Sequence, residues 1–259
     1  MNEEKLVVVL VEPQGELNVG SVARAMLNFG VSELRLVNPV ADHLSRDARL
    51  MAVKAAPVLE SAKCYSSLND ALADCAVSIG TTRRFGQYRD RFKYPDEAAQ
   101  ILVPIARQQA SALVFGREDK GLLTSELDLC QHLITIPTND ELPSMNLAQS
   151  VVLCLYEVNK VRGEIDGHEH DLQTLAVNAE LESMFQHMKQ SMTNIGYLNQ
   201  DNPDHILRSF RKILGRSELN SREVNILRGL FNQIDLYSGK KMTRKQMKEG
   251  VDASLQSEN

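Results

Sequence analysis

The residues able to do chemistry lie in four polar or glycine-bearing stretches: Glu12 to Arg24, Gly80 to Arg84, Gly116 to Leu122 and Pro137 to Asn146. Each follows a β-rich run, and in an open α/β sheet ligands bind outside the carboxyl ends of the strands. Taken singly, none identifies a reaction. Asn18 and Gly20, opening a helical stretch, are compatible with a tight turn and an N-cap, and Gly116 with a strand exit. The absent patterns narrow the field. There is no G-x-G-x-x-G fingerprint and no Walker lysine motif, which takes most of the weight from dinucleotide and P-loop readings. A hydrolase has neither a nucleophile elbow nor a Cys/His/acid set to stand on. Cys64, Cys75, Cys130 and Cys154 are scattered, with no Cys-x-x-Cys pair and no clustered histidines. That argues against a zinc site or a disulfide scaffold and fits a reducing cytoplasm; no metal is expected. His168 and His170 stand beside acids but read as solvated linker residues.

The elements that position these stretches alternate along residues 1–163. Leu6–Val11 is a continuous apolar run, as in a strand buried on both faces. A helix follows from Asn18 to Phe29, with Val19, Val22, Ala23 and Met26 at helical spacing and Gly30 where a helix stops. Further strands are expected at Leu34–Val37, Ala76–Gly80, Ala112–Phe115 and Leu133–Ile136. Helices are expected at Arg46–Lys54, Leu68–Ala73, Tyr94–Gln109 and Asn146–Val161, the last apolar enough at Val151–Leu155 to be largely buried. Five or six β-rich runs separated by helices imply an α/β fold with a parallel sheet. Residues 164–178 are acidic and glycine-punctuated, hence a linker. Three amphipathic helices follow within 179–238, carried by Leu181, Met184, Phe185 and Met188, then Ile206, Phe210, Ile213 and Leu214, then Val224, Leu227, Phe231 and Ile234, with Ser221 as the last N-cap. Residues 239–259 read as a basic, disordered tail.

The 259 residues exceed one average domain without reaching two, which suits one large domain with a small appendage. With 43% apolar and 24% charged residues the composition is that of a globular protein, not a disordered or fibrous one. No apolar run approaches the ~18 residues of a membrane helix. The opening Met1–Lys5 lacks the pattern of a secretory signal, so a cytoplasmic protein is expected. The net charge of −5 is not that of an overtly basic nucleic-acid binder. Charge is unevenly spread, however. From His205 to Lys248 there are eleven Lys/Arg against three acids, and Arg208, Arg211 and Lys212 lie opposite the apolar stripe of the second small helix. Such a concentration points to a surface that contacts phosphates.

Three segments in order carry a family resemblance: Asn18-Val19-Gly20-Ser21-Val22-Ala23-Arg24-Ala25, Leu113 to Leu122 with Gly116-Arg117-Glu118 at its centre, and Ile136-Pro137-Thr138 leading to Pro143-Ser144-Met145-Asn146-Leu147-Ala148. Over residues 5 to 162 the chain resembles the SpoU branch of the SPOUT RNA methyltransferases. Leu36–Pro39, Gly80–Arg83 and Asn225–Gly229 in a helical extension narrow the resemblance to bacterial tRNA 2′-O-methyltransferases acting on nucleotide 32 of the anticodon loop. One departure is Pro143, where some relatives have a small hydroxyl residue.

The resemblance implies a trefoil-knotted domain with S-adenosyl-L-methionine bound among the knotted loops, a homodimer and a tRNA partner. Carried over residue by residue, the cofactor-binding set is Thr81, Thr82, Arg83, Gly116, Ile136, Pro143, Ser144 and Met145, and the catalytic set is Arg24, Asn18, Glu118, Ser144 and Asn146. Arg24 is the family arginine associated with the reacting hydroxyl. A guanidinium with a pKa above ~12 is a poor base, so an anchor for the adjacent phosphate and a stabiliser of alkoxide charge is the preferred role. Asn18 and Asn146 would fix loop geometry or touch the ribose, Glu118 would hold Arg24 or the loop, and Ser144 would cap the last helix or touch substrate. RNA contacts fall to Arg24, Arg208, Arg211 and Lys212. Methylation of ribosomal RNA or another tRNA position, and a non-catalytic RNA-binding role on the same fold, remain open.

Overall fold

The computed structural model describes residues 5–83, 92–165, 174–198 and 203–239. The chain divides into two compact units, Met1–Ala179 and Glu180–Asn259.

The first unit is built on β1 (Leu6–Val11), buried along its whole length. Its side chains alternate, Val8 and Leu10 into one core and Val7, Val9 and Val11 into the other. The run lacks polar alternation because both faces are covered, as parallel sheets require. β1 pairs in parallel with β2 (Glu33–Val37) and with β5 (Ser111–Phe115). With β3 (Lys63–Tyr65), β4 (Val77–Thr81) and β6 (His132–Ile134) it forms a six-stranded parallel sheet in the order β3-β2-β1-β5-β4-β6. The larger core lies under α1 (Glu16–Asn28), α2 (Arg46–Ala52), α3 (Ala56–Glu60), α5 (Pro95–Ala106) and α7 (Leu147–Ile165); the smaller lies under α4 (Leu68–Leu72) and α6 (Thr124–Leu127).

Three elements escape the sequence pattern: β3 with three residues, α3 with five and α6 with four are too short to show a period. β6 begins a residue earlier than its apolar run and ends at Ile134 rather than Ile136. It is bounded on one side by β4 and on the other by Lys93, whose amide donates to Leu133 and whose carbonyl accepts from Thr135. β6 therefore lies between two stretches that follow one another in the chain.

Two glycine and helix readings change. α1 starts at Glu16 with Gly15 as N-cap, so Asn18 lies inside the helix and is not its cap. Gly20 is buried, and a Cβ there would stand 2.2 Å from the Ala48 carbonyl oxygen. It serves the close approach of α1 to α2 rather than a turn. On α7, Val151, Cys154, Leu155 and Val158 are buried but Val152, Leu153 and Tyr156 are exposed, so the apolar run is only half covered.

The stretch expected to be a linker is structured at both described ends. α7 runs through Gly163 to Ile165. After residues 166–173, where His168 and His170 lie outside the described residues, Leu175 and Ala176 are buried. Gln109 mimics a strand partner, its amide donating to the Leu175 carbonyl at 2.8 Å and its oxygen accepting from the Leu175 amide at 2.7 Å. The Asn178 amide donates to the Cys75 carbonyl at 2.8 Å and that of Ala179 to the Ala73 carbonyl at 3.1 Å.

The second unit holds α8 (Asn178–Asn194, whose first two residues belong to the first unit), α9 (Pro203–Gly215) and α10 (Ser221–Tyr237). Met184, Phe185, Met188, Leu207, Val224 and Phe231 are buried. Leu207 takes the place the sequence pattern gives to Ile213, which is 52% exposed. The N-cap of α10 is Asn220, not Ser221: Asn220 Oδ1 accepts from the Glu223 amide and Glu223 Oε2 from the Asn220 amide, each at 2.9 Å. This reciprocal capping box satisfies two donors where Ser221 would satisfy one. Ser221 instead donates to Glu180 at 2.8 Å. The tail from residue 240 lies outside the described residues.

The docked segment fixes where the chain can be cut. A piece ending at residue 179 keeps Leu175 in the core, whereas one ending at Ile165 loses it with its paired hydrogen bonds. The shorter piece is expected to be less stable by about 2–4 kcal/mol, the transfer cost of one leucine plus two hydrogen bonds. Equal urea midpoints for the two pieces would show that the segment contributes nothing.

Candidate active site

Beyond the carboxyl ends of β4, β5 and β6 lie three non-strand stretches: Thr82 and Arg83, Gly116–Leu123 and Thr135–Asn146. They enclose a cavity of about 290 Å³. Thr81, Thr82, Arg83, Gly116, Ile136, Pro143, Ser144 and Met145 all line it. Phe115, Leu122 and Ile134 supply apolar wall, while Glu118, Asp119 and Lys120 stand in the same lining. These three apolar side chains are at most 2% exposed, so the wall is an extension of the two cores.

The central loop is shaped by its own backbone. Arg117 and Gly121 exchange backbone hydrogen bonds, the Gly121 amide donating at 2.8 Å and the Arg117 amide at 3.3 Å, and Gly121 has φ +64°. The ring so closed presses on Gly116, where a Cβ would stand 2.1 Å from the Gly121 carbonyl carbon. Glycine at 116 is thus demanded by the loop's closure on itself. In the third loop Thr138 Oγ1 donates to the Pro143 carbonyl at 3.0 Å. Pro143 is used through its carbonyl oxygen there, which any residue offers, so the departure from a hydroxyl residue leaves this contact intact.

Side chains then tie the loops together. The Glu118 carboxylate accepts three N–H groups, from the Gln14 and Gly15 amides and from Asn18 Nδ2, each at 3.0 Å. Asn18 Oδ1 accepts from Asn146 Nδ2 at 2.9 Å. Asn146 Oδ1 accepts from the Ala148 amide at 2.9 Å and so caps α7. One chain of hydrogen bonds joins the β5–α6 loop, the start of α1 and the start of α7. Charged acceptors make the strongest links of this kind.

The members of the sequence-derived catalytic set therefore fall into different places. Asn18 is bonded to both Glu118 and Asn146. Glu118 does not hold Arg24; its acceptor sites serve the loop. Arg24 is exposed on α1, is not in the cavity lining, and has no hydrogen bond or ion pair among the described residues. Ser144 does not cap α7, because Asn146 does; its exposed hydroxyl lines the cavity and makes no hydrogen bond among the described residues. In the second unit Arg208 and Lys212 are exposed on α9 and Arg211 is half-buried. Its guanidinium pairs with both Glu182 carboxylate oxygens and stacks over Phe185 at 4.5 Å from the ring centre. Donors on both terminal nitrogens and one face of this guanidinium are thereby committed within the helical unit.

Sequence reasoning missed the ion cluster beneath the central loop. The Arg117 side chain is 7% exposed; Nε donates to Glu12 at 2.7 Å, and Nη1 and Nη2 donate to the two Glu126 oxygens at 3.0 and 2.9 Å. The hydrogen bond from Arg117 holds the Glu12 carboxyl below the usual carboxylate range. Glu12 has φ +46°, uncommon for a non-glycine residue. The available signal was an Arg inside a loop with acids at the ends of two other elements, which identifies no partners until the fold is known.

Comparison with known proteins extends over both units. Residues 5–156 match the family described as SpoU rRNA methylase, and residues 179–248 match the C-terminal domain of the tRNA methyltransferase TrmJ. The chain is 33% identical over 232 residues to the tRNA (cytidine/uridine-2′-O-)-methyltransferase TrmJ of Salmonella choleraesuis strain SC-B67, covering 88% of this chain and 95% of that one. It is 34% identical over 241 residues to the tRNA (cytidine/uridine/adenosine-2′-O-)-methyltransferase TrmJ of Pseudomonas aeruginosa strain UCBPP-PA14, covering 89% and 93%. Among solved structures it is similar to TrmJ from Z. mobilis ZM4, with a TM-score of 0.75, 33% identity, and coverage of 88% of this chain and 98% of that one.

The geometry at Gly116 yields a prediction. Since a Cβ there meets backbone rather than open cavity, Gly116→Ala must open the 117–121 ring and is expected to lower stability by about 1–3 kcal/mol, the usual cost of overpacking. A thermal midpoint equal to that of the wild type would show that the ring yields freely.

Proposed function

The chain belongs to the SpoU methylase family, and from that premise we propose that it is a tRNA (cytidine/uridine-2′-O-)-methyltransferase using S-adenosyl-L-methionine, with nucleotide 32 of the anticodon loop as its target. The observation that carries this reading is the pairing, in one chain, of a SpoU methylase unit with a TrmJ-type C-terminal unit. A knotted crossing of the chain is part of the reading, supported by β6 lying between β4 and Lys93. A homodimer is supported by the exposed Val152, Leu153 and Tyr156 on α7, an apolar strip that a second copy would cover.

The cavity fits the cofactor. Its volume stands at the low end of the ~300–1,000 Å³ of ligand sites, and it offers apolar walls with main-chain donors and acceptors at three loops, as an adenine requires. Thr81, Thr82, Arg83, Gly116, Ile136, Pro143, Ser144 and Met145 would hold it. When bound, the cofactor supplies an electrophilic methyl group on a sulfonium. What remains for the chain is positioning and charge handling. The Glu118–Asn18–Asn146 chain fixes the start of α1 against the cavity loops, and so fixes the helix that carries Arg24. Arg24 is free to anchor the phosphate beside the reacting ribose and to stabilise negative charge developing on its 2′-oxygen. Ser144, which lines the cavity with a hydroxyl that makes no hydrogen bond among the described residues, would contact substrate. Arg208 and Lys212 on α9 would hold the tRNA backbone through phosphates, without sequence preference.

Two measurements test this. Nucleoside mass spectrometry of tRNA from a deletion strain is expected to show loss of the 2′-O-methyl group at nucleotide 32, restored by the wild-type gene but not by Arg24→Ala. In the purified protein Arg24→Ala should lower turnover by ~10²–10³ while cofactor affinity stays near that of the wild type, since Arg24 lies off the cavity. Full methylation in the deletion strain would remove the assignment. For the second unit, Arg208→Ala with Lys212→Ala should weaken tRNA binding and reduce its log–log salt slope by roughly 0.7–0.9 for each phosphate that is no longer neutralised. An unaltered slope would move the RNA surface away from α9.

A further inference from the structure

The Glu12–Arg117–Glu126 cluster lies outside the residues assigned above to the cofactor or to catalysis, yet its central member is part of the loop that forms the cavity. The guanidinium is almost wholly buried and its donors point in three directions: to Glu12 at the end of β1, to both oxygens of Glu126 on α6, and to the Gly121 carbonyl of its own loop at 3.3 Å. The Gly121 carbonyl oxygen thereby accepts from Arg117 twice, once from the backbone amide and once from Nη1. With the Gly121 amide donating to the Arg117 carbonyl at 2.8 Å, these bonds close the 117–121 ring, whose residues line the cavity. Glu126 is held in turn, since its Oε2 also accepts the Leu123 amide at 2.7 Å at the start of α6. Glu12 reaches the guanidinium from a backbone conformation that non-glycine residues rarely adopt, with φ +46°. Such a conformation persists where the surroundings over-determine it.

This arrangement fastens one carbonyl of a ligand-facing loop to two elements at once. On the reading of the cavity as the S-adenosyl-L-methionine site, we propose that Arg117 is a positioning residue for that cofactor: with Glu12 and Glu126 its guanidinium, committed to these acids and to the Gly121 carbonyl, holds the 117–121 ring in the shape that receives the ligand. A guanidinium is required because only a planar fork can bind Glu126 at two points while Nε holds Glu12. A lysine at 117 would keep a single charge and lose the fork.

The test uses the full-length protein and isothermal calorimetry with S-adenosyl-L-methionine alone, together with steady-state kinetics on tRNA and the thermal midpoint without ligand. Arg117→Met is expected to raise the dissociation constant and KM for the cofactor about tenfold or more, to lower kcat at saturating cofactor by less than about threefold, and to leave tRNA affinity unchanged. Arg117→Lys should fall between wild type and Arg117→Met. If Arg117→Met does not fold, Glu12→Gln takes its place; it leaves the Arg117–Glu126 fork intact and is expected to raise the cofactor dissociation constant about threefold. A merely structural role would lower the thermal midpoint and leave cofactor affinity at the wild-type value, and that result in Arg117→Met, or in Glu12→Gln where it substitutes, overturns the proposal. Wild-type protein that does not bind S-adenosyl-L-methionine overturns the reading of the cavity and the proposal with it; binding by wild type with unchanged variants overturns the positioning role alone.

Discussion

A single carboxylate holds the working end of the first unit together. Glu118 accepts three N–H groups from the β1–α1 turn and the first turn of α1, and through Asn18 its influence reaches Asn146 and the start of α7. These partners belong to separate stretches of chain, and none of the loops has enough apolar surface to fix itself. A charged acceptor shared among several donors suits this position, because one group then gives a defined partner to each N–H. The two neighbours of Glu118 extend the same connection, Arg117 to Glu12 and Asp119 to Gln14 at 3.1 Å. Three successive residues of the β5–α6 loop thus bond to the β1–α1 turn.

The sheet makes this connection possible. β1 and β5 are adjacent and parallel, so their carboxyl ends deliver residues 12 and 116 to the same edge in register, with Leu10 opposite Phe115. α1 is then drawn against α2 through Gly20 and against α7, so that a helix carrying Arg24 is set by close backbone approach and core packing. Arg24 itself is left out of every bond among the described residues. In the role proposed for it, meeting a phosphate and a developing alkoxide, it would gain from being unpaired, since a partner carboxylate would compete for the charge to be stabilised. Arg211 on α9 illustrates the opposite case: bound to Glu182 and stacked on Phe185, its guanidinium is turned to contacts within the helical unit.

The sequence by itself determined the parallel α/β class, four of the strands to within about a residue, the helical second unit, and the stretches at strand ends from which a site had to come. These are consequences of period and composition: β-branched runs buried on both faces, apolar residues at helical spacing, glycine where loops close. The resemblance then selected the eight residues now found around one cavity. Tertiary structure alone decided which polar groups bond to one another. Glu118 and Arg24 lie ninety-four positions apart and looked like partners, but the carboxylate is occupied by Gln14, Gly15 and Asn18. Ser144 and Asn146 are two residues apart and either could cap α7; the loop's path gives that place to Asn146. Arg117, Glu12 and Glu126 carry no shared pattern in the chain, and Leu175 sits in a stretch whose polarity reads as linker. Periodicity reports which face of an element is buried, whereas hydrogen-bond partnership depends on distances between elements, and those exist only once the chain has folded.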